Sequence, residues 1–186
     1  MTRIPAIDPK QATGKQKTLL DAVQQKLGKV PNLMRTLANS PAALEGYLNL
    51  GGALAGGSLD ARTREQIALT VAEANLCDYC LSAHTAIGGM VGLSSPEIAS
   101  ARAAEAANTK TDAVLKFARS VVVSRGNVSD TELHAARSAG LTDGDLVEAT
   151  VNVALNILTN YVNHVAQTVV DFPRVERAAG GAALQR

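Results

Sequence analysis

Alanine supplies about one residue in six of this 186-residue chain, while aromatic residues amount to 3% and tryptophan is absent. Alanine is the strongest intrinsic helix former, and strands favour the β-branched and aromatic side chains that are thin here. The composition therefore predicts an all-α fold whose helices approach closely across small side chains. Such a core buries less area per residue than one rich in Leu and Phe. At roughly 25 cal/mol per Å² of apolar surface, that shortfall favours self-association, so a homo-oligomer is expected.

The same arithmetic excludes several classes. With 46% hydrophobic residues the chain can fill a core, which rules out global disorder. Eighteen Lys plus Arg against 17 Asp plus Glu give a net charge of +1, and so no electrostatic case for nucleic acid as the main partner. No run approaches the roughly 18 to 20 uncharged apolar residues needed to span a bilayer. The N-terminus has no apolar stretch behind Arg3, so no secretory signal is expected and the predicted location is cytoplasmic. Two cysteines three positions apart cannot form a disulfide scaffold; they point to redox chemistry or a metal.

Punctuation divides the chain into helices. Residues 1–14, with two prolines, read as an N-terminal arm. Lys15 to Leu27 has helical apolar spacing closed by Gly28. A short helix follows Pro31, and Ser40 before Pro41 caps another to about Ala55. Helices are predicted from about Asp60 to Ala74, from about Asp78 to Val91, from Ser95, and from Asp112 to Arg125. Ser129 with Glu132 forms a capping-box pattern for a helix ending at Gly140. Thr142 with Asp145 opens the longest, to about Thr168. A single domain over 15–177 and a fraying tail over 178–186 complete the reading.

The informative segment runs from Glu65 to Cys77–Asp78–Tyr79–Cys80, with His84 beyond. On a helix, residues 77, 80 and 84 fall at about 0°, 300° and 340° around the axis, so two sulfurs and an imidazole share one face. Cys77 at the helix start would feel the positive dipole end, which favours a thiolate. His84, one turn beyond Cys80, can serve it as base or counter-ion. Glu65 shares its helix face with Leu69, Ala72 and Leu76, so its carboxylate points inward. If the helices fold back at Asn75, Glu65 lies about 15 Å up one and His84 about 10 Å up the other. The acid could then orient the imidazole in a Glu65–His84–cysteine chain.

Other readings compete. A CxxC alone can be two buried small hydrophobes. Zinc could take both cysteines and His84, but a closed site needs a fourth ligand, and His134 and His164 are remote in sequence. Haem attachment fails because Leu81, not histidine, follows Cys80. No GxGxxG follows a strand, so neither flavin nor nicotinamide binding is visible and no cofactor or metal is expected.

The spacing Glu65, eleven residues, Cys77-x-x-Cys80, three residues, His84 closely resembles the motif of the AhpD-like alkylhydroperoxidases, within the carboxymuconolactone decarboxylase superfamily. The resemblance implies an all-helical bundle assembled as trimers or hexamers, and thiol-dependent reduction of peroxides. It implies a proton relay from Glu65 and His84 to the Cys77–Cys80 pair, recharged by an external dithiol on a lipoyl-bearing or thioredoxin-like partner. One position departs: Tyr79 stands where classical members have histidine, and a phenol, with an ordinary pKa near 10, is a weaker base at neutral pH.

A second feature lies on the last helix, where Glu148, Asn152, Asn156, Asn160, Asn163 and Gln167 form a narrow polar stripe. It could pair with itself across a symmetry axis or face the site, since buried Asn needs partners. His164 reads by default as a structural histidine at a helix contact, with a catalytic role as the alternative. His134 reads as solvated. The functional expectation is a CxxC peroxidase in which Cys80 or Cys77 attacks the peroxide. A non-catalytic redox sensor and a decarboxylase-like enzyme acting on a small organic acid are the alternatives.

Overall fold

A computed structural model describes residues 2–177; the tail expected over 178–186 lies outside the described residues. Among these there are only helices: α1 (Gly14–Leu27), α2 (Asn32–Leu37), α3 (Pro41–Ala55), α4 (Ala61–Ala74), α5 (Asp78–Met90), α6 (Ser95–Arg102), α7 (Thr109–Val123), α8 (Asp130–Ser138) and α9 (Asp143–Ala166). Most boundaries follow from caps. Ser40 accepts from the Ala43 amide ahead of Pro41, and Asp60 accepts from the Thr63 amide. Ser129 with Glu132, and Thr142 with Asp145, close complete capping boxes. α7 begins three residues before the expected Asp112, because Asn108 caps it through the Thr111 amide. Asp112 instead sits in the first turn and accepts from the Ala106 amide at 3.0 Å.

The molecule is organised around α4, which packs on α5, α6, α7 and α9. Its residues 66 to 73 are all buried, the all-round burial of a central helix rather than the stripe of a surface one. α9 lies along α4 and α5 and also carries α2, α3 and α7. The N-terminal arm is pinned over this frame. Arg3 N–H donates to the Ala166 carbonyl at 2.8 Å, Ile7 N–H to Arg35 at 3.1 Å, and the Asn39 amide to Pro5 at 2.8 Å. No helix among the described residues is long and apolar enough to cross a membrane.

The α4–α5 turn sets up the site. Cys77 N–H reaches back to the Ala72 carbonyl at 2.9 Å, a Schellman-type closure. It requires a left-handed residue, and Leu76, not glycine, takes it at φ 56°. A left-handed non-glycine costs roughly 1–2 kcal/mol, offset here by the closure it permits and by the packing of the two helices it joins.

Candidate active site

Cys77 is the N-cap of α5, its sulfur accepting from the Cys80 amide at 3.3 Å, and Cys80 stands in the first turn. Both are free thiols with 1% of their surface exposed. The Cys77 thiol donates to Cys80 Sγ at 2.7 Å. From α4, Glu65 Oε2 meets His84 Nδ1 at 2.7 Å, with both side chains about one-fifth exposed. Bonding at Nδ1 leaves Nε2 as the nitrogen free to exchange a proton. The structure thus brings Glu65 to His84 and Cys77 to Cys80, and all four side chains into one neighbourhood.

Charge is divided unequally between the sulfurs. Sharing its proton with Cys80, burial, and the Cys80 charge all push the Cys77 thiol well above its ordinary range. Burial also opposes a Cys80 thiolate. The Cys77 thiol, the His84 charge and the Asn163 amide outweigh it and bring Cys80 down to about 7. The helix start does not win at Cys77, because a proton shared between two buried sulfurs can leave only one of them charged. For His84, burial disfavours the imidazolium, but the charge and hydrogen bond of Glu65, then Cys80, raise its pKa overall.

The polar stripe of α9 faces the site. Asn163 Nδ2 donates to Cys80 Sγ at 3.2 Å, and Asn160 Oδ1 accepts from the Asn75 amide at 2.8 Å. Asn152 and Asn156 donate to carbonyls one turn back, and Glu148 accepts from the Ser58 and Leu59 amides. Two atoms beside the sulfurs, Asn160 Nδ2 and Asn163 Oδ1, are buried with no hydrogen-bond partner among the described residues.

Tyr79 points away from this chemistry. Its hydroxyl donates to Asp171 Oδ1 at 2.8 Å and accepts from the Leu33 amide at 3.0 Å, while its ring meets Phe172 edge-on at 5.9 Å. It anchors the segment after α9 instead of extending the relay. His134 is exposed on α8, and His164 is exposed near the end of α9. No group of three or more His, Cys, Asp or Glu among the described residues is placed to hold a metal ion.

Two cavities open at this site, one at the acid–imidazole pair and one at Cys77. One, of about 160 Å³, is lined by Glu65 and His84 together with Tyr47, Leu155 and Asn156. Tyr47 was not singled out by sequence reasoning; burial, then the charges of Glu65 and Cys80, push its phenol up to about 12, so it stays a donor. Its one sequence signal is rarity, as one of three tyrosines. The second cavity, about 330 Å³, is lined by Cys77 and His164 among others.

Comparison with known proteins adds a family match and a shared fold. Residues 41–123 match the Carboxymuconolactone decarboxylase family, a span that contains Glu65, Cys77, Cys80 and His84. An uncharacterized protein of Haemophilus influenzae is 53% identical over 45 residues, and that match spans 24% of this chain and only 40% of the relative. An uncharacterized peroxidase-related protein with an alkylhydroperoxidase AhpD core, from Ralstonia eutropha JMP134, is 26% identical. It superposes at a TM-score of 0.81 over 91% of this chain and 92% of its own. A peroxidase-related protein from Silicibacter sp. TM1040 (20% identity, TM-score 0.77, 98% and 97% covered) shares the fold. So does the debrominase Bmp8 bound to 2,3,4-tribromopyrrole (16%, 0.78, 92% of each chain). By partial family match and by fold, the chain is similar to the carboxymuconolactone decarboxylase family and to an alkylhydroperoxidase AhpD core.

Proposed function

We propose that the protein is a thiol-dependent peroxidase that reduces hydroperoxides through a Cys77–Cys80 dithiol/disulfide cycle. The observation that carries this reading is the pairing of a buried, thiolate-favouring Cys80 with a thiol 2.7 Å away and a Glu65–His84 pair alongside. A thiolate, not a thiol, is the nucleophile.

The hydroperoxide approaches through the cavity lined by His84 and Tyr47. The Cys80 thiolate attacks the terminal oxygen, the O–O bond breaks, and the departing alkoxide takes a proton from the His84 imidazolium, leaving an alcohol. Glu65 holds that imidazole by Nδ1 and stabilises its charge. Cys80 is then a sulfenic acid. Its new oxygen needs a donor and its hydroxyl an acceptor, which the unpaired Asn160 Nδ2 and Asn163 Oδ1 can supply. Cys77 attacks Cys80 Sγ, the S–O bond breaks, water leaves, and the disulfide forms. An external dithiol donates the two electrons that restore the pair. A second copy would cover the exposed Leu158, Tyr161 and Val165 of α9 in the proposed homo-oligomer.

The test is stopped-flow turnover of tert-butyl hydroperoxide with a dithiol as reductant. Wild type consumes many equivalents and Cys80→Ser consumes none; near-wild-type turnover in the mutant would remove the mechanism. A redox sensor would instead stop after a single equivalent, and a decarboxylase-like activity would survive alkylation of both thiols.

A further inference from the structure

We propose that the second cavity is the port through which a slender dithiol reduces the oxidised pair, attacking Cys77, with His164 as the base that takes the incoming thiol's proton. This rests on the reading that Cys77 and Cys80 cycle through a disulfide.

Three observations converge on it. The two cavities share no lining residue: Glu65 and His84 line the first, whereas Cys77 and His164 line the second. On α9 they are separated as well, by the turn between Thr159 and Asn163, whose amide holds Cys80. An oxidant and a reductant would thus have separate ways in. Next, the sulfurs differ as leaving groups. Thiol–disulfide exchange is faster when the departing thiol has the lower pKa, and Cys80 keeps the His84 charge and the Asn163 amide that favour its thiolate even when Cys77 is bonded to the reductant. Productive attack must therefore fall on Cys77. Last, Cys77 is 1% exposed at the wall of a cavity of about 330 Å³. That space admits a small dithiol or a dithiol on a thin flexible arm, and excludes a CxxC fixed to the surface of a folded domain.

His164 is the group suited to the proton transfer. The other titratable or charged side chains on this wall are Cys77, Asp78, Tyr79 and Arg174. Asp78 is paired with Arg177 at 2.8 Å, and the Tyr79 hydroxyl is committed to Asp171 and Leu33. Imidazole is the side chain that exchanges protons near neutrality. The step balances. The first thiol gives its proton to His164 and its sulfur to Cys77; the Cys77–Cys80 bond breaks, and Cys80 leaves as the thiolate. The second thiol then attacks the reductant's own sulfur in the mixed disulfide. Cys77 departs and takes up the proton held on His164. The dithiol ends as a disulfide, two electrons poorer.

The experiment isolates this half of the cycle. The full chain is oxidised with diamide, and its reduction by dithiothreitol and by dihydrolipoamide is followed by acid quench and mass. His164→Gln is expected to lower the second-order rate at least about tenfold, since general bases contribute roughly 10²–10⁴, and to flatten the rise of that rate with pH. His164→Ala should be rescued by added imidazole, which a purely structural role would not permit. Unchanged rates in both variants overturn the proposal, as does a slowed rate with an unaltered pH profile and no rescue. Wild-type enzyme that consumes peroxide but shows no His164 dependence retains the peroxidase reading and loses the port. The reverse pattern retains the port and loses the peroxidase.

Discussion

Asn163 Nδ2 lies 3.2 Å from Cys80 Sγ, bridging positions 83 residues apart. One contact thereby ties the α9 stripe to the CxxC and helps to decide which sulfur carries the charge. A hydrogen bond to a charged group contributes about 1.5–3 kcal/mol, and one pKa unit is about 1.36 kcal/mol. Asn163→Ala should therefore raise the Cys80 pKa by about one to two units. The rate of iodoacetamide alkylation against pH, measured in a Cys77→Ser background with and without the second change, reads it directly; coincident profiles would refute the role.

The pH dependence of sulfenic acid formation follows from the same charge. Cys80 is lowered to about 7, so its thiolate fills as pH rises through that value. The single-turnover rate with excess hydroperoxide should climb through neutrality and fall again as the His84 imidazolium that protonates the leaving alkoxide is lost. Cys77→Ser replaces the thiol that shares its proton with Cys80, so the midpoint of the climb should move to higher pH. A rate with no rise through neutrality would contradict a Cys80 nucleophile.

Glu65→Gln separates orientation from charge. The amide can still meet His84 Nδ1 but no longer stabilises an imidazolium, so single-turnover oxidation should slow by about 10², the lower range for general acid–base groups. Stability should respond with a defined sign. His84 is raised in the folded state, so the charge pair's contribution is fully present below the unfolded histidine value of about 6.5 and is lost as pH rises through the folded value. The gap in Tm between wild type and Glu65→Gln should accordingly be widest on the acid side of neutrality, above the carboxylate range, and narrow toward alkaline pH.

How much of this was written locally in the chain depends on the range of the interaction. Caps such as Ser129–Glu132 and Thr142–Asp145 act over three residues, and the sequence places those helix starts closely. Asn108 escaped notice because Asp112, which read as the opening residue, serves the loop at Ala106. The shared face of Cys77, Cys80 and His84 follows from helical geometry alone. What decides the chemistry does not. Tyr47 reaches the acid–imidazole cavity from α3, and the two unpaired amide atoms arise from how α9 is rotated against α5. The dipole argument for a Cys77 thiolate does not hold for the same reason: it omits the second sulfur and the Asn163 amide arriving from α9.

Tyr79 supplies the last prediction, about architecture rather than turnover. The position between the cysteines could have extended the relay, but its hydroxyl joins Leu33, in the first turn of α2, to Asp171, beyond α9. Asp171 also accepts the Asn32 amide at 3.0 Å, and Phe172 lies between the Tyr79 ring and the Lys29 ammonium, 3.7 Å from its centroid. Further along, Val175 N–H donates to Ser82 Oγ at 3.2 Å, so the segment is laid across the outer side of α5. Tyr79→Phe keeps the ring contact and removes both hydroxyl bonds, leaving the buried Leu33 amide unpaired at a cost of about 1–3 kcal/mol. Tm should fall accordingly, and amide exchange at Leu33 and Val175 should quicken, because the strap is held from both ends of this contact. Exchange at Leu69 and Val71, in the middle of α4 and fully buried, should change only by the global loss of stability. If the quickening were equal at all four amides, the hydroxyl would be stabilising the whole fold and not fastening the strap.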